Sequence, residues 1–210
     1  MIGRLYADSL RGAGIDLEYE DGRRTPLDAT RWLEPIDGDE AMLSRCGGPT
    51  LDVGSGPGRL TVELARRGVP ALGIDVTPHA VRLTRRAGGL ALCRDVFDRV
   101  PGSGRWPTAL LADGNIGIGG DPAALLRRMR ELVRPDGEVI VEVAPPGTPS
   151  GIERVRLRHG EVTGEWFRWA NVSASEVSRP AGESGFTVAE CHERAGRWFA
   201  FLRPACGTAP

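Results

Sequence analysis

The sequence predicts an α/β fold built on a doubly wound, mostly parallel sheet, and three observations predict it. Leu51 to Arg59, LDVGSGPGR, joins a buried-strand pattern to a three-glycine turn and leads into a helix. From there to Val143, short apolar runs alternate with helical stretches, the order that produces parallel strands with helices on both faces. EVIVEV, at 138–143, is almost continuously apolar rather than alternating, as a strand buried on both faces is.

Each element has its own signal. Leu51 and Val53 flank Asp52 in the first strand, and Gly54, Gly56 and Gly58 form the turn. TVELARRG turns Val62, Leu64 and Ala65 toward one face and ends on Arg66, Arg67 and a C-capping Gly68. ALGIDV reads as a second buried strand closing on Asp75, and Thr77 with Pro78 starts a helix running to Ala87. LALCRDV is a short third strand that leads to Phe97, and TALLA is a fourth, followed by the glycine-rich loop DGNIGIGGDP. Asp121 and Pro122 open a helix whose Leu125, Leu126, Met129, Leu132 and Val133 make one apolar core stripe. RPDG at 134–137 reads as a turn before the fifth strand. Beyond Val143 the pattern changes: ERVRLRHGEVTGEWFRWANV alternates like a β-hairpin around His159-Gly160 and Thr163-Gly164. SASEVSRPAGESG then reads as a short helix capped by Ser173 or Ser175, and the last two strands turn at Arg194 to Gly196.

A strand, a glycine turn and a helix aim free backbone N–H groups above the strand's C-terminal end, where an acceptor-rich ligand binds. The spacing here is G-x-G-x-G, not the G-x-G-x-x-G of a dinucleotide site. Asp52 would place a negative charge near a pyrophosphate, whereas it favours a cationic ligand or one with an amino group. Asp75 lies twenty-one residues after Gly54, close to the offset at which a carboxylate accepts hydrogen bonds from ribose hydroxyls. With Asp52, Gly54, Gly56 and Gly58 in one turn, the segment resembles motif I of the class I S-adenosylmethionine-dependent methyltransferases.

The resemblance covers about Pro49 to Pro204. It implies a single Rossmann-like methyltransferase domain: a seven-stranded, mostly parallel sheet with an antiparallel C-terminal strand pair, here with an extra β-hairpin after the fifth strand. It divides the chain into a cap or lid segment at 1–48, the domain at 49–204 and a tail at 205–210. S-adenosyl-L-methionine is the implied cofactor and S-adenosyl-L-homocysteine the product. Asp52, Gly54, Ser55, Gly56 and Gly58 would hold it at the turn, Asp75 and Val76 at the ribose, and Asp95, Val96 and Phe97 at the adenine. Asp113, Gly114 and Asn115 would lie beside the methionine part. Methyl transfer to a small molecule requires in-line placement more than a fixed catalytic residue; Asp113, Asn115, Glu142 and His159 are the candidates for chemistry. Tyr6, Tyr19, Arg31, Trp32, Trp166 and Trp169 are the candidates for the substrate wall. A catechol-type metal site is not expected, because the fifth strand runs into Val143-Ala144-Pro145 without an Asp-Asn pair.

Composition excludes other chemistries. All 27 basic residues are Arg, which removes Schiff-base and P-loop lysines, and their interspersion among 28 acids leaves no basic footprint for nucleic acid. Cys46, Cys93, Cys191 and Cys206 are too dispersed for a zinc site or a disulfide framework. No apolar run suits a membrane span and no secretory signal opens the chain, so a cytoplasmic monomer or homodimer acting on a small molecule is expected. Two alternatives stay open: an NAD-dependent oxidoreductase with a Rossmann domain, and a protein that binds the cofactor without turnover.

Overall fold

The computed structural model describes residues 3–205, so Cys206 and the rest of the expected tail lie outside the described residues. Seven strands form the main sheet: β3 (Thr50–Val53), β4 (Ala71–Asp75), β5 (Leu90–Cys93), β6 (Trp106–Leu111), β7 (Val133–Val143), β11 (Phe186–Arg194) and β12 (Arg197–Pro204). Their order is β11-β12-β7-β6-β3-β4-β5. β3 to β7 run parallel, while β12 is antiparallel to both β7 and β11. The expected fold is therefore the observed one. RPDG is the exception: instead of a free turn it lies within β7, where the pairing between Trp106 and Val133 shifts register before Thr108 meets Glu138.

Strand alternation distributes the core onto both sheet faces. In β6, Ala109 and Leu111 point to the face covered by α5 (Pro122–Leu132), joining Leu125, Leu126, Met129, Val139 and Val141. Leu110 points to the other face, where α2 (Glu40–Leu43) and α3 (Arg59–Arg66) bring Met42, Leu43, Leu60 and Leu64 against Ile140, Phe199 and Phe201. The stripe predicted for α5 is buried throughout, because its leucines and methionine recur at helical spacing. The helix α6 (Ser178–Gly182) starts later than its sequence suggests; Ser173 and Ser175 are instead hydrogen-bonded to each other, and Ser150 joins Ser173.

A second, antiparallel sheet could not be read locally. β1 (Ile15–Tyr19) and β2 (Arg24–Leu27) from the N-terminal segment combine with β8 (Gly151–His159), β9 (Val162–Thr163) and β10 (Phe167–Asn171) from the hairpin. The order is β10-β8-β1-β2, with β9 on β8, and Leu17 faces Leu157 across the central pair. The extra hairpin and the first residues of the chain are thus one structural unit, completed by α1 (Gly3–Ser9). α1 packs against α4 (Pro78–Arg86), where Leu10 and Ala80 are buried with Tyr6 and Trp32 against them.

Gly58 shows how closely the first helices approach. It holds φ 91° at the start of α3, and a Cβ there would come within 2.4 Å of Thr84 Cγ2 on α4. Gly58→Ala therefore meets both a disfavoured backbone conformation and a clash, and is expected to lower unfolding stability by about 2–4 kcal/mol, measured as a shift in the denaturant midpoint at unchanged slope.

Candidate functional site

The direction of winding reverses between β3 and β6, the point at which ligands bind in open α/β sheets. A cavity of about 570 Å³ opens there, above the C-terminal ends of β3, β4 and β6 and beneath the second sheet. The glycine turn forms its floor. Gly54 and Ser55 donate their N–H groups to the Ile74 carbonyl, which ties the turn to β4. Gly54 holds φ 69°, and a Cβ on it would collide with the Asn115 amide at 2.7 Å. That amide donates to the carbonyls of Val53 and Gly54, both at 3.0 Å, so Asn115 braces the turn it faces.

Asp75 braces it from the other side. Its carboxylate accepts the Gly56 N–H at 2.9 Å and the Thr77 N–H at 2.7 Å, joining the glycine turn to the start of α4. Only 9% of Asp75 is exposed, yet it lines the cavity. Burial raises its carboxyl above the ordinary range, and the two N–H bonds oppose that rise. Asp52 is more deeply placed: the Thr61 hydroxyl donates to it at 2.7 Å, while burial pushes it up to about 6 against that bond and the Arg59 charge.

Two arginines and three carboxylates close the inner end. Arg59 pairs with Asp39 and, at 2.5 Å, with Asp113. Arg197 pairs with Glu142 at 2.7 Å, with Asp39 at 2.8 Å and with Asp113 at 3.5 Å. The Asp113 N–H donates to Glu142 at 2.6 Å, and Asp113 holds the left-handed φ of 53°, a strained conformation that this bond and the ion pairs fix. Three buried polar atoms have no protein partner among the described residues: Arg59 Nε, Ser55 Oγ and Trp32 Nε1. All three residues line the cavity, and unpaired buried donors in such a place suit a polar ligand.

At the outer end of β4 and β5, Val76 is 52% and Phe97 46% exposed, large apolar surfaces on either side of Asp95. Asp95 accepts the Phe97 N–H at 2.9 Å, which orders this loop, and Val96 lies buried beside it. The wall opposite the glycine turn is aromatic and comes from the second sheet, α1 and the 3-10 turn at Ala29–Leu33: Tyr6, Trp32, Phe167 and Trp169, with Leu27 and Leu157.

The structure gathers most of the residues singled out from sequence. Asp52, Gly54, Ser55, Gly56, Asp75, Val76, Asp95, Val96, Phe97, Asp113, Asn115, Tyr6, Trp32 and Trp169 all line the cavity. Gly58 and Gly114 do not; each sits at φ near +80 to +90° where a helical turn begins. Glu142 lies one layer behind, held by Arg197. Tyr19 sits under the Arg23 guanidinium at 4.3 Å and Trp166 under that of Arg156 at 4.5 Å. Arg31 is exposed beside Asp28, and His159 is exposed with Nδ1 2.7 Å from the Gly14 carbonyl. None of these five lines the cavity.

Some lining residues escaped sequence reasoning. Arg59 directly follows Gly58 and opens α3, a position readable from the motif itself. Phe167 was also accessible: strand alternation puts it on one face with Trp169, whereas Trp166 falls on the other. Arg197 and Asp39, which stand behind the lining, carry no local signal, since long-range packing alone brings them together.

No family model matches the sequence. An uncharacterized protein of Mycobacterium tuberculosis is 28% identical over 190 residues, covering 88% of this chain and 62% of that protein, so the chain spans about three fifths of the length of such relatives. Among solved structures, a methyltransferase from Bacteroides fragilis in complex with S-adenosyl-L-homocysteine superposes with TM-score 0.79 at 22% identity, over 98% of this chain and 94% of that one. A 1,6-didemethyltoxoflavin-N1-methyltransferase from Burkholderia thailandensis gives TM-score 0.59 at 19% identity, over 80% of this chain and 75% of that one. Together with the sheet order and the glycine turn, these likenesses give the chain the fold of the class I S-adenosylmethionine-dependent methyltransferases.

Proposed function

We propose that the chain is an S-adenosylmethionine-dependent methyltransferase that moves a methyl group to a small-molecule acceptor by in-line displacement, without a metal. The carrying observation is the buried Asp75 carboxylate beside the glycine turn, at the switch point of a methyltransferase-type sheet. The residues present fit the cofactor: Arg59 Nε and Ser55 Oγ are unpaired donors at the turn, and Asp75 and Asp95 are acceptors spaced along the cavity. The bound cofactor would supply an electrophilic methyl group on a sulfonium.

Each wall has a part in that reading. Asp75 keeps carboxylate lone pairs for ribose hydroxyls, Asp95 receives the adenine amine, and Val76 and Phe97 sandwich the ring. Arg59 offers its Nε to a carboxylate, and Asp52 and Asp113 balance the cationic sulfur and amine. Residues 1–48 and the hairpin act together as the cap, which excludes water and fixes the acceptor in line. Neither Glu142 nor His159 is placed to take a proton from a ligand. A small acceptor suits a cavity of about 570 Å³ that also has to hold the cofactor, and no helix among the described residues is long and apolar enough to cross a membrane. The reading includes a cytoplasmic protein, monomeric or dimeric, that binds no nucleic acid.

Calorimetry with S-adenosylmethionine, S-adenosylhomocysteine and NAD tests this reading: binding of the first two is expected, and binding of NAD alone would overturn it. Asp75→Ala should weaken S-adenosylhomocysteine binding by about 1.5–3 kcal/mol, roughly ten- to a hundredfold, through lost charge-assisted hydrogen bonds and a loosened turn.

The Asp52 carboxyl gives a pH signature. Its folded pKa lies above the unfolded value, so its contribution to stability is fully present below the unfolded pKa and is lost as pH rises through about 6. A cationic ligand prefers the ionised form, so binding carries the opposite sign. Affinity for S-adenosylmethionine is expected to fall as pH drops through about 6, and Asp52→Asn should flatten that dependence in calorimetric titrations.

A further inference from the structure

The inner half of the cavity combines two features, an aromatic wall that the binding of a methyl donor does not require and more negative charge than that donor offsets. Tyr6 and Trp32 have ring centroids 6.1 Å apart with planes at 49°, and Phe167 and Trp169 meet edge to face at 6.3 Å. Four rings from three separate segments thus converge on one space above the glycine turn.

The second is charge. Asp52, Asp75 and Asp113 line the floor, with Asp39 and Glu142 directly behind, and among the described residues Arg59 and Arg197 alone answer them there. Arg94 and Arg168 also line the cavity, but both are exposed at its rim. Tyr6 registers the excess: burial and the nearby Asp75 and Asp113 carboxylates raise its phenol well above the ordinary range, so it stays neutral. Bound S-adenosylmethionine, with a sulfonium, an ammonium and a carboxylate, offsets only one negative charge.

We propose that the methyl acceptor is an amine, whose nitrogen sits among Tyr6, Trp32, Phe167 and Trp169 over the acidic floor. The inference rests on the methyltransferase reading above and narrows it to a substrate class. A phenolate or carboxylate acceptor would carry negative charge against that floor. An alcohol would have to give up its proton during attack, and beneath the aromatic wall it meets no free base; Asp95 lines the outer end, where it serves the adenine in the reading above. No histidine lines the space; Asp113 is engaged by both arginines, Asp75 by two backbone N–H groups and Asp52 by Thr61.

An amine fits both features. An ammonium that enters the site first gives one proton to water at the mouth; the neutral nitrogen then attacks with its lone pair, the N–C bond forms, and the C–S bond breaks with its electron pair remaining on sulfur. Positive charge passes from sulfur to nitrogen, so the same aromatic faces and carboxylates hold a cation before and after transfer. The extra proton on nitrogen leaves afterwards to water at the mouth. Tyr6, whose hydroxyl lies at Gly56 on the glycine turn, would accept a hydrogen bond from the amine N–H and direct its lone pair.

The test uses three ring probes of equal size, benzylammonium, benzyl alcohol and benzoate, titrated into the protein with and without saturating S-adenosylhomocysteine and followed by tryptophan fluorescence and calorimetry. Benzylammonium is expected to bind at least about tenfold more tightly than either of the others, and Trp169→Leu to bring that preference below about threefold while Trp169→Phe retains it. Equal or tighter binding of benzyl alcohol or benzoate, or no detectable binding of the cation, would overturn the amine assignment. The wild-type comparison decides the matter even if the leucine variant does not fold. Absence of S-adenosylhomocysteine binding would sink the methyltransferase reading itself, a different outcome from homocysteine-product binding without cation preference.

Discussion

The geometry of this cavity depends on two guanidinium groups shared among three carboxylates. Arg59 starts α3, Arg197 starts β12, Asp39 precedes α2, Asp113 follows β6 and Glu142 lies near the end of β7. Five elements, two helices on one face of the sheet and three of its strands, therefore meet at one buried point. Arg59 is 6% and Asp39 8% exposed as side chains, so solvent screens little of their attraction. Burial of this kind costs desolvation that pairing only repays when every partner is in place, and loss of one partner would leave an unbalanced charge where water cannot reach it. The network is thus better understood as a device that fixes register than as a source of stability. It accounts for the left-handed Asp113: a residue that would relax elsewhere is held by a backbone bond to Glu142 and two ion pairs.

The glycine turn depends on a parallel arrangement of hydrogen bonds. Asp75 anchors Gly56 and Thr77, Asn115 anchors the carbonyls of Val53 and Gly54, and Ile74 anchors Gly54 and Ser55. Residues that sequence reasoning assigns to ligand contact therefore also build the surface the ligand would meet. The two roles are compatible for Asp75, whose oxygens have lone pairs beyond the two N–H bonds. They are less so for Asn115, whose amide N–H group is already used twice on the protein's own backbone and whose remaining freedom lies in its carbonyl oxygen.

The legible part of the molecule is the part written in local chemistry. Apolar runs without alternation gave away β3, β4, β6 and β7, glycine and proline placed their boundaries, and the Asp-Pro start with its leucine stripe identified α5. The acid at the end of each successive strand located the floor of the cavity, because strands in this fold deliver their C-terminal residues to one edge. What stayed hidden depends on partners distant in sequence. β2 has no clear alternation of its own, and β1 alternates only over Ile15 to Tyr19, too short a run to name its partner; β8 supplies that partner, with Val155 and Leu157 on one face and Arg156 and Arg158 on the other, the latter both bonded to Glu18. Tyr19 and Trp166 looked like substrate-wall aromatics from composition alone, and the structure stacks arginines on them away from the cavity. Counting strand parity from Trp169 would have exchanged Trp166 for Phe167.

This division has a functional sense. The polar floor comes from the parallel sheet, where turn, acid and helix start follow one another within a few dozen residues and cannot be altered separately. The aromatic wall comes from the second sheet and the N-terminal helical turns beside it, which join the first residues of the chain to the hairpin segment at 151–171 and meet the floor through side chains, chiefly Tyr6 and Trp32 on one side and the β10 edge against Gly117 and Gly120 on the other. At Gly117 a Cβ would lie 2.2 Å from the Ala170 carbonyl, so β10 is seated as close as backbone allows. Close seating fixes where Phe167 and Trp169 stand, yet their side chains are free to differ without disturbing the glycine turn. A fold built this way can keep one half of its cavity constant and vary the other, because the two halves touch through packing and share no strand.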